Sequence, residues 1–367
     1  MKIEIFASEL FSMLNEIKSI PVFKAKYNKD DDKIYFAFSG DLVTIIRHQK
    51  ENSRSIFQKW YAGNIIKTYE GDKVPDMVFN TCDVIKIFAD FAALNSDIVN
   101  IGIDEYTNRM TFSLRDYYAS ITGKQDVMLE VPEGPVMRSV IIPAEMLQAT
   151  YETIADEGSW RTFLKGVHIT VRDKKLICES SDSHIATIRK MPLTQIKNKI
   201  DEKGLNVIIP KKFVKALLAT KEKEFRLEFF GNLVFCGNLT AELITENYVN
   251  LEMVIPNNTT QKLEIQLAEL ESVLKAMKGK TMKGNNGLRL LADRAEGLGS
   301  MMRYDALADA WQPVCLRHDY LAGIVKYVKK LDRTATILFE KAGLSNGIKF
   351  SCKGIKDYYG VISKIIE

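Results

Sequence analysis

Pro143-Ala144-Glu145-Met146-Leu147 decides the reading of the fold, because the chain writes this opening three times. Ala7-Ser8-Glu9-Leu10 stands near the start, and Leu267-Ala268-Glu269-Leu270 lies in the last third. Each places a small residue and a glutamate in a first helical turn, where a negative charge suits the positive end of the helix dipole. Apolar residues then recur at helical spacing: Leu10, Met13, Leu14 and Ile17; Met146, Leu147, Thr150, Tyr151 and Ile154; Leu270, Val273, Leu274 and Met277. Internal repetition on this scale points to copies of one structural module.

Working outward, each opening is followed by a second helical segment. These are Asp83-Val84-Ile85-Lys86-Ile87-Phe88, Lys212-Phe213-Val214-Lys215-Ala216-Leu217-Leu218, and Asp319-Tyr320-Leu321-Ala322-Gly323-Ile324-Val325. Alternating segments separated by turn residues read as strands. In the middle unit, Val167–Val171 and Leu176–Cys178 flank the turn Arg172-Asp173-Lys174-Lys175. Phe225–Phe229 and Leu233–Phe235 flank Gly231-Asn232. Ile34–Phe38 follows the acidic run Asp30-Asp31-Asp32, read as a solvated hairpin tip, and Thr336–Phe339 and Ile348–Phe350 serve the last unit. The links are Glu130-Val131-Pro132-Glu133-Gly134-Pro135 and Pro256-Asn257-Asn258-Thr259-Thr260. The expectation is an α+β chain of three repeated domains, 1–131, 136–256 and 262–367, each with two helices packed on antiparallel sheets.

Bulk composition narrows the function. A chain of 367 residues with 46% hydrophobic and 27% charged residues is globular and too long for one ordinary core. No stretch approaches the roughly 20 apolar residues that span a bilayer, and Met1–Leu10 reads as a strand entering a helix instead of a secretory signal. A cytoplasmic protein without membrane contact is expected. Cys82, Cys178, Cys236, Cys315 and Cys352 are scattered, as are His48, His168, His184 and His318, so neither a disulfide framework nor a metal site is expected. Net charge is a mild +4, which permits a polyanionic partner without requiring one.

Enzyme motifs fare poorly. Gly279-Lys280-Thr281 lacks the glycine a phosphate loop needs five positions earlier, where Leu274 stands, and it ends a helix instead of opening one. Ser181, Asp182, Ser183 and His184 hold the residue types of a hydrolase triad. On a strand, however, neighbours face opposite ways. No catalytic residue, cofactor or metal is expected.

The middle third carries a resemblance. Phe163-Leu164-Lys165-Gly166-Val167, Ser181-Asp182-Ser183-His184-Ile185-Ala186, Met191-Pro192-Leu193 and Val207-Ile208-Ile209-Pro210 occur in that order. Tyr248-Val249-Asn250-Leu251 and Val254-Ile255-Pro256 follow. Together they resemble the middle domain of the bacterial DNA polymerase III beta subunit, the DNA sliding clamp. There an L-x-G-V/M segment precedes T-D-G-H-R-L, M-P and V-I-V-P. Two departures stand out: the arginine after the family's histidine is Ile185, and the closing V-V-M-P-M is Gly360-Val361-Ile362-Ser363-Lys364.

The resemblance implies a ring-shaped, non-enzymatic processivity factor built from two chains joined head to tail. Twelve helices abreast at about 10 Å each give a circle of roughly 120 Å and a hole of about 28 Å, wide enough for a hydrated duplex. The implied partners are double-stranded DNA without sequence preference, a clamp loader, and polymerase and repair clients carrying short linear motifs. Cations expected to face DNA through its phosphates are Lys86, Lys211, Lys212, Lys215, Lys221, Lys275, Lys278, Arg317, Lys326, Lys329 and Lys330, interspersed with Glu9, Glu16, Glu145 and Glu152. The implied client-peptide pocket has Leu164, Ser181, Ser183, His184, Ile185, Ala186, Val249, Met253, Val254, Val361 and Ile362 as walls, and Ile185 with Met253 makes it more apolar than the family's. Ring closure falls to the edge near Tyr118, Ser120 and Ile121, facing Ala276 and Met277. The competing reading is a tandem-domain interaction scaffold that never encircles DNA.

Overall fold

The computed structural model describes residues 2–19, 32–39, 42–51, 54–62, 66–70, 76–91, 98–104, 106–114, 117–126, 130–132, 134–156, 158–196, 205–281, 286–343 and 346–365. Among these lie six α-helices: α1 Ala7–Ser19, α2 Thr81–Phe91, α3 Ala144–Tyr151, α4 Lys211–Ala219, α5 Leu267–Ala276 and α6 His318–Leu331. Every one is entered directly from a strand, respectively Lys2–Phe6, Met77–Asn80, Arg138–Pro143, Asn206–Pro210, Gln261–Gln266 and Val314–Arg317. The strand-into-helix step thus occurs six times, twice in each predicted repeat.

Local chemistry explains the steps. Asn80 Oδ1 accepts from the Cys82 amide at 3.0 Å, satisfying a free donor at the start of α2. Pro143 leaves its strand extended, with φ −60° and ψ 135°, and α3 follows at once. α6 carries Asp319 in its first turn and Lys329 and Lys330 in its last, matching both ends of its dipole.

Contacts group the described chain into two units, residues 1–139 with 215–243 and residues 140–214 with 244–367. This differs from the division by repeat, since the two halves of 136–256 fall into different units. In the first unit, a five-stranded sheet runs Ile66–Glu70, Lys2–Phe6, Ile98–Asp104, Arg109–Leu114, Tyr117–Thr122. Of a nine-stranded sheet, this unit holds, in order, Lys124–Gln125, Met77–Asn80, Asp32–Ser39, Leu42–Glu51, Arg54–Ala62, Leu239–Glu242, Leu233–Cys236 and Glu224–Phe230. The first repeat joins the second where Phe57 pairs with Thr240. Ile3, Ile5, Leu10, Leu14, Phe36 and Val84 lie in the core of this unit; the side chains of Met13 and Ile17 lie outside the described set.

In the second unit, one nine-stranded sheet runs Asn206–Pro210, Gly166–Arg172, Lys175–Ser181, Ile185–Pro192, Tyr358–Ser363, Gly347–Lys353, Thr336–Lys341, Gln261–Gln266, Ala306–Asp309. Strands from the middle and last repeats meet where Ile185–Arg189 pair antiparallel with Ile362–Tyr358. A four-stranded sheet, Ser300–Arg303, Arg294–Gly297, Gly287–Leu290, Val314–Arg317, completes the unit. Leu270, Val273 and Leu274 of α5 and Leu321, Ile324, Val325 and Val328 of α6 fill its core. Gly360 sits where a Cβ would lie 2.0 Å from the Ala186 carbonyl and 2.6 Å from the Phe350 ring, so this strand junction admits only glycine without displacement.

Three sequence expectations are corrected. Asp32 belongs to a strand, where Arg47 donates to it at 2.9 and 2.7 Å and Gln49 at 3.0 Å. It is therefore the anchor of a fully buried arginine and no solvated tip; Asp30 and Asp31 lie outside the described residues. Helix α3 stops at Tyr151, short of Ile154. There the chain turns so that the Thr153 hydroxyl reaches Ser180 and Thr187, each at 2.5 Å. Finally, Asp182–His184 form a turn instead of continuing a strand. The hairpin turn at Asp173-Lys174 matches expectation, with both residues at positive φ (50° and 57°) as a tight two-residue connection requires.

Candidate functional site

The turn after Ser181 is the keystone of a groove in the second unit. Ser183 is at φ +84°, and the surrounding polar groups hold it there. Asp182 Oδ1 accepts from the amides of His184 (2.8 Å) and Ile185 (2.9 Å). Ser181 Oγ accepts from the Ser183 amide at 3.1 Å and donates to the Ile185 carbonyl at 2.8 Å. Tyr320 of α6 donates its hydroxyl to Asp182 Oδ2 at 2.7 Å. Both Asp182 oxygens are thus committed to structure, leaving no relay of the triad kind with His184.

The opposite wall is the segment from Tyr248 to Ile255. Tyr248 stacks on His168 with ring centres 4.6 Å apart, and His168 bonds Glu179 at 2.7 Å. Asn250 caps the short 3₁₀ turn Leu251–Val254 by accepting from the Glu252 amide at 3.1 Å. Leu251 and Ile255 pack with Ile177, Ala186, Ile188 and Val361 in a small apolar cluster beneath. Lys190 donates to Glu252, and Tyr359 donates to the same oxygen at 3.2 Å. The Lys190 hydrogen bond holds the Glu252 carboxyl below its ordinary value.

Between these walls lies a cavity of about 390 Å³, within the range of ligand clefts. Nine expected residues line it: Leu164, Ser181, Ser183, His184, Ile185, Ala186, Val249, Val254 and Val361. Two do not. Met253 stands 82% exposed outside the cavity, and Ile362 is wholly buried in the core beneath the sheet. The correction at Ile362 follows from strand alternation: Val361 and Ser363 share the groove face, and Ile362 points the other way. Arg161, Phe163, Asn250, Leu251, Asn346, Gly347 and Ser363 also line it and were missed; only Ser363 had a signal, that same alternation. A second, more polar cavity of about 570 Å³ shares His184 and Ile185 and includes Lys211, Arg317 and Tyr320 in its lining.

The cations expected to face DNA divide sharply. Lys212 is 4% exposed and cannot offer its ammonium to a surface polyanion, which corrects its assignment. Lys211 is tied to the loop after α3, donating to the Ile154 carbonyl at 3.0 Å and Asp156 at 3.2 Å. Arg317 forks onto Asp319 at 3.0 and 2.5 Å and lies over the Tyr320 ring. Lys326 bonds Glu152, Lys329 meets Glu271 at 2.7 Å and Lys275 meets it at 2.8 Å. Hydrogen bonds from Lys275 and then Lys329 pull the Glu271 carboxyl down to about 2. Lys86 lies 3.9 Å from Asp83; Lys221, Lys278 and Lys330 are exposed, and Lys215 is half-buried. Glu16 and Glu145 are also engaged, by Trp60 at 2.6 Å and Arg189 at 3.1 Å.

At the expected closing edge, the strand Tyr117–Thr122 is the last of its sheet. Tyr118 is 64% exposed and Ser120 half-buried, but Ile121 is buried in the core of the first unit. Ala276 is exposed, whereas Met277 is buried in the core of the second. Ile121 and Met277 are therefore corrected: each fills its own chain's interior. Gly279, at φ +76°, lies in the turn that follows α5. Among the described residues no acidic, histidine and cysteine cluster could hold a metal, and no helix is long and apolar enough to cross a membrane.

The fold is that of bacterial DNA polymerase sliding clamps. Particular relatives in structure are the DNA polymerase III beta chain of Streptococcus pneumoniae (TM-score 0.77, 14% identity) and the sliding clamp of Bacillus subtilis (0.74, 16%). The similarity covers all of this chain and 100% and 99% of those chains, respectively. The clamp of Pseudomonas aeruginosa, solved with griselimycin bound, matches over both full chains at 0.75 and 13%. In sequence, the beta sliding clamp of Staphylococcus aureus is 29% identical over 167 residues, which is 42% of this chain and 40% of that protein. The clamp of Staphylococcus epidermidis is 28% identical over 137 residues, 35% of this chain and 33% of that protein. The chain thus aligns with about two fifths of the length of the curated relatives it matches. No family model matches it.

Proposed function

We propose that this chain is a DNA sliding clamp subunit, divided into modules 1–131, 136–256 and 262–367, that pairs head to tail with a second copy to enclose duplex DNA. The observation that carries the reading is the match to beta subunits over the full length of both chains, with no part of the fold left over. The sixfold strand-into-helix step supplies the two helices per module that such a ring lines up. Enclosure replaces chemistry in this reading, so the chain acts as a processivity factor and not as a catalyst.

Two surfaces share the work. Cations of the second helices, with Lys326 and Lys329 foremost, attract phosphates weakly because neighbouring carboxylates already hold them. The apolar groove takes short linear motifs from polymerase and repair clients, in the helix- or strand-in-groove manner. Tyr118 and Ser120 lie on the edge strand that receives a partner, and Ala276 belongs to the facing surface. A loader opens the ring on DNA, and the protein works in the cytoplasm at the nucleoid.

Two measurements test this together. Sedimentation equilibrium should give twice the chain mass. A labelled client motif from the organism's own replicative polymerase should bind the intact protein and lose binding in Val361→Glu and His184→Glu. A monomer at micromolar concentration, or undiminished peptide binding in both variants, contradicts the proposal.

A further inference from the structure

Behind the groove wall that runs from Tyr248 to Ile255, His168 is buried with an oxygen at each ring nitrogen. Nδ1 lies 2.7 Å from Glu179 Oε1, and Nε2 lies 2.6 Å from Asn206 Oδ1. A neutral imidazole has one N–H and one lone pair, whereas two oxygen acceptors call for two N–H donors. Three titratable groups face the ring from the elements packed on it. Glu179, on the neighbouring strand, is wholly buried, and a carboxylate so placed needs cationic partners. Arg172 donates to the same Oε1 at 3.2 Å, while Glu179 Oε2 has no partner among the described residues. On the open face the Tyr248 ring lies 17° from parallel with centres 4.6 Å apart, the placement of an aromatic face against a cation. Burial, and then the Glu179 charge, push the Tyr248 phenol well above its ordinary value, so the phenol stays neutral.

We infer that His168, held as an imidazolium between Glu179 and Asn206, positions the groove wall through Tyr248 and makes peptide binding depend on its proton. The inference rests on the peptide-groove reading above and adds a control to it. Tyr248 transmits the state of the ring. The Phe163 and Tyr248 rings meet edge to face with centres 6.1 Å apart, and Phe163 and Val249 both line the groove. When Nε2 gives its proton to solvent, it faces Asn206 Oδ1 as a second acceptor at 2.6 Å, two desolvated groups without a hydrogen bond. The ring or the Asn206 amide must then turn, and Tyr248 loses the cation it stacks on. The sign follows: the wall is braced while the ring holds both protons, and the brace is lost as pH rises through the ring's titration.

The test uses the full-length protein and tetramethylrhodamine-labelled Gly-Ser-Leu-Val-Leu-Phe amide, an apolar probe with no group that titrates between about pH 6 and 9. NMR on protein carrying isotopically labelled histidine follows the ring protons, and His168→Gln identifies the His168 signals by their loss. Both ring nitrogens of His168 should carry protons at the acid end of that range. Peptide affinity should fall about tenfold, a step of about 1.4 kcal/mol, as the second proton leaves with rising pH. The double variant His168→Gln, Glu179→Gln keeps hydrogen-bonding amides at both places and removes both charges, so its affinity should not share that fall. His184, which also lines the groove, is present in both proteins, so the difference between the two profiles belongs to His168. If the two profiles coincide while Val361→Glu abolishes binding, the inference fails and the groove stands. A His168 ring with a single protonated nitrogen throughout also overturns it. Should the double variant not fold, the unaltered protein decides: NMR and affinity midpoints that differ overturn the inference, and midpoints that agree support it. If the probe binds at no pH, the groove reading falls and the inference with it.

Discussion

Removing two carboxylates should make this protein hold DNA more firmly. Glu152 neutralises Lys326, and Glu271 neutralises Lys329 and Lys275. The double variant Glu152→Gln, Glu271→Gln keeps size and hydrogen-bonding capacity but frees three ammoniums. Each additional phosphate that a freed ammonium neutralises steepens the dependence of log affinity on log salt by about 0.9. If two of the three ammoniums reach phosphates, the slope steepens by about 1.8, and raising salt from about 50 to 200 mM costs the variant about 12-fold more affinity than the parent. The melting temperature should barely change, because exposed ion pairs add little to stability. Fluorescence anisotropy with a labelled duplex across a salt series measures the slope directly. An unchanged slope in a variant that melts normally would refute the assignment of these cations to a DNA-facing surface.

Other outcomes follow from single interactions. Gly360→Ala should lower stability by about 3 kcal/mol through overpacking against the Ala186 carbonyl and Phe350 ring, read by denaturant unfolding. Acid should weaken the groove before it unfolds the sheet. The Glu252 carboxyl is held below its ordinary 4.5, so its bond to Lys190 is fully present above that pH and is lost as pH falls through the lowered value. Peptide affinity should therefore hold constant from neutral pH to the ordinary carboxylate range and drop only below it. Tyr118→Arg, on the edge strand, should shift the mass in solution from dimer toward monomer without lowering the monomer's melting temperature.

Much of the fold was legible because its signals are local. Acidic residues at helix starts, apolar spacing of 3.6 and a two-residue turn are local signals for α1, α5 and α6 and for the hairpin at Asp173-Lys174. Nine of the eleven residues grouped by resemblance line one cavity, since short motifs in fixed order mark one surface. What failed needed tertiary information. Lys212 and Lys215 read alike in sequence, yet only packing decides that Lys212 is buried. Asp32 looked like a solvated tip because its partner Arg47 lies on the next strand. Ile362 could have been excluded by alternation alone, given Val361.

The central claim is topological, and one measurement addresses it. The protein, placed on a nicked circular duplex by its matched loader, is followed by gel filtration before and after a restriction enzyme linearises the circle. An enclosing ring stays with the intact circle and slides off the cut one, even at a salt concentration that abolishes simple ionic binding. Equal retention on both forms would show lateral binding by a scaffold, and the account would be wrong.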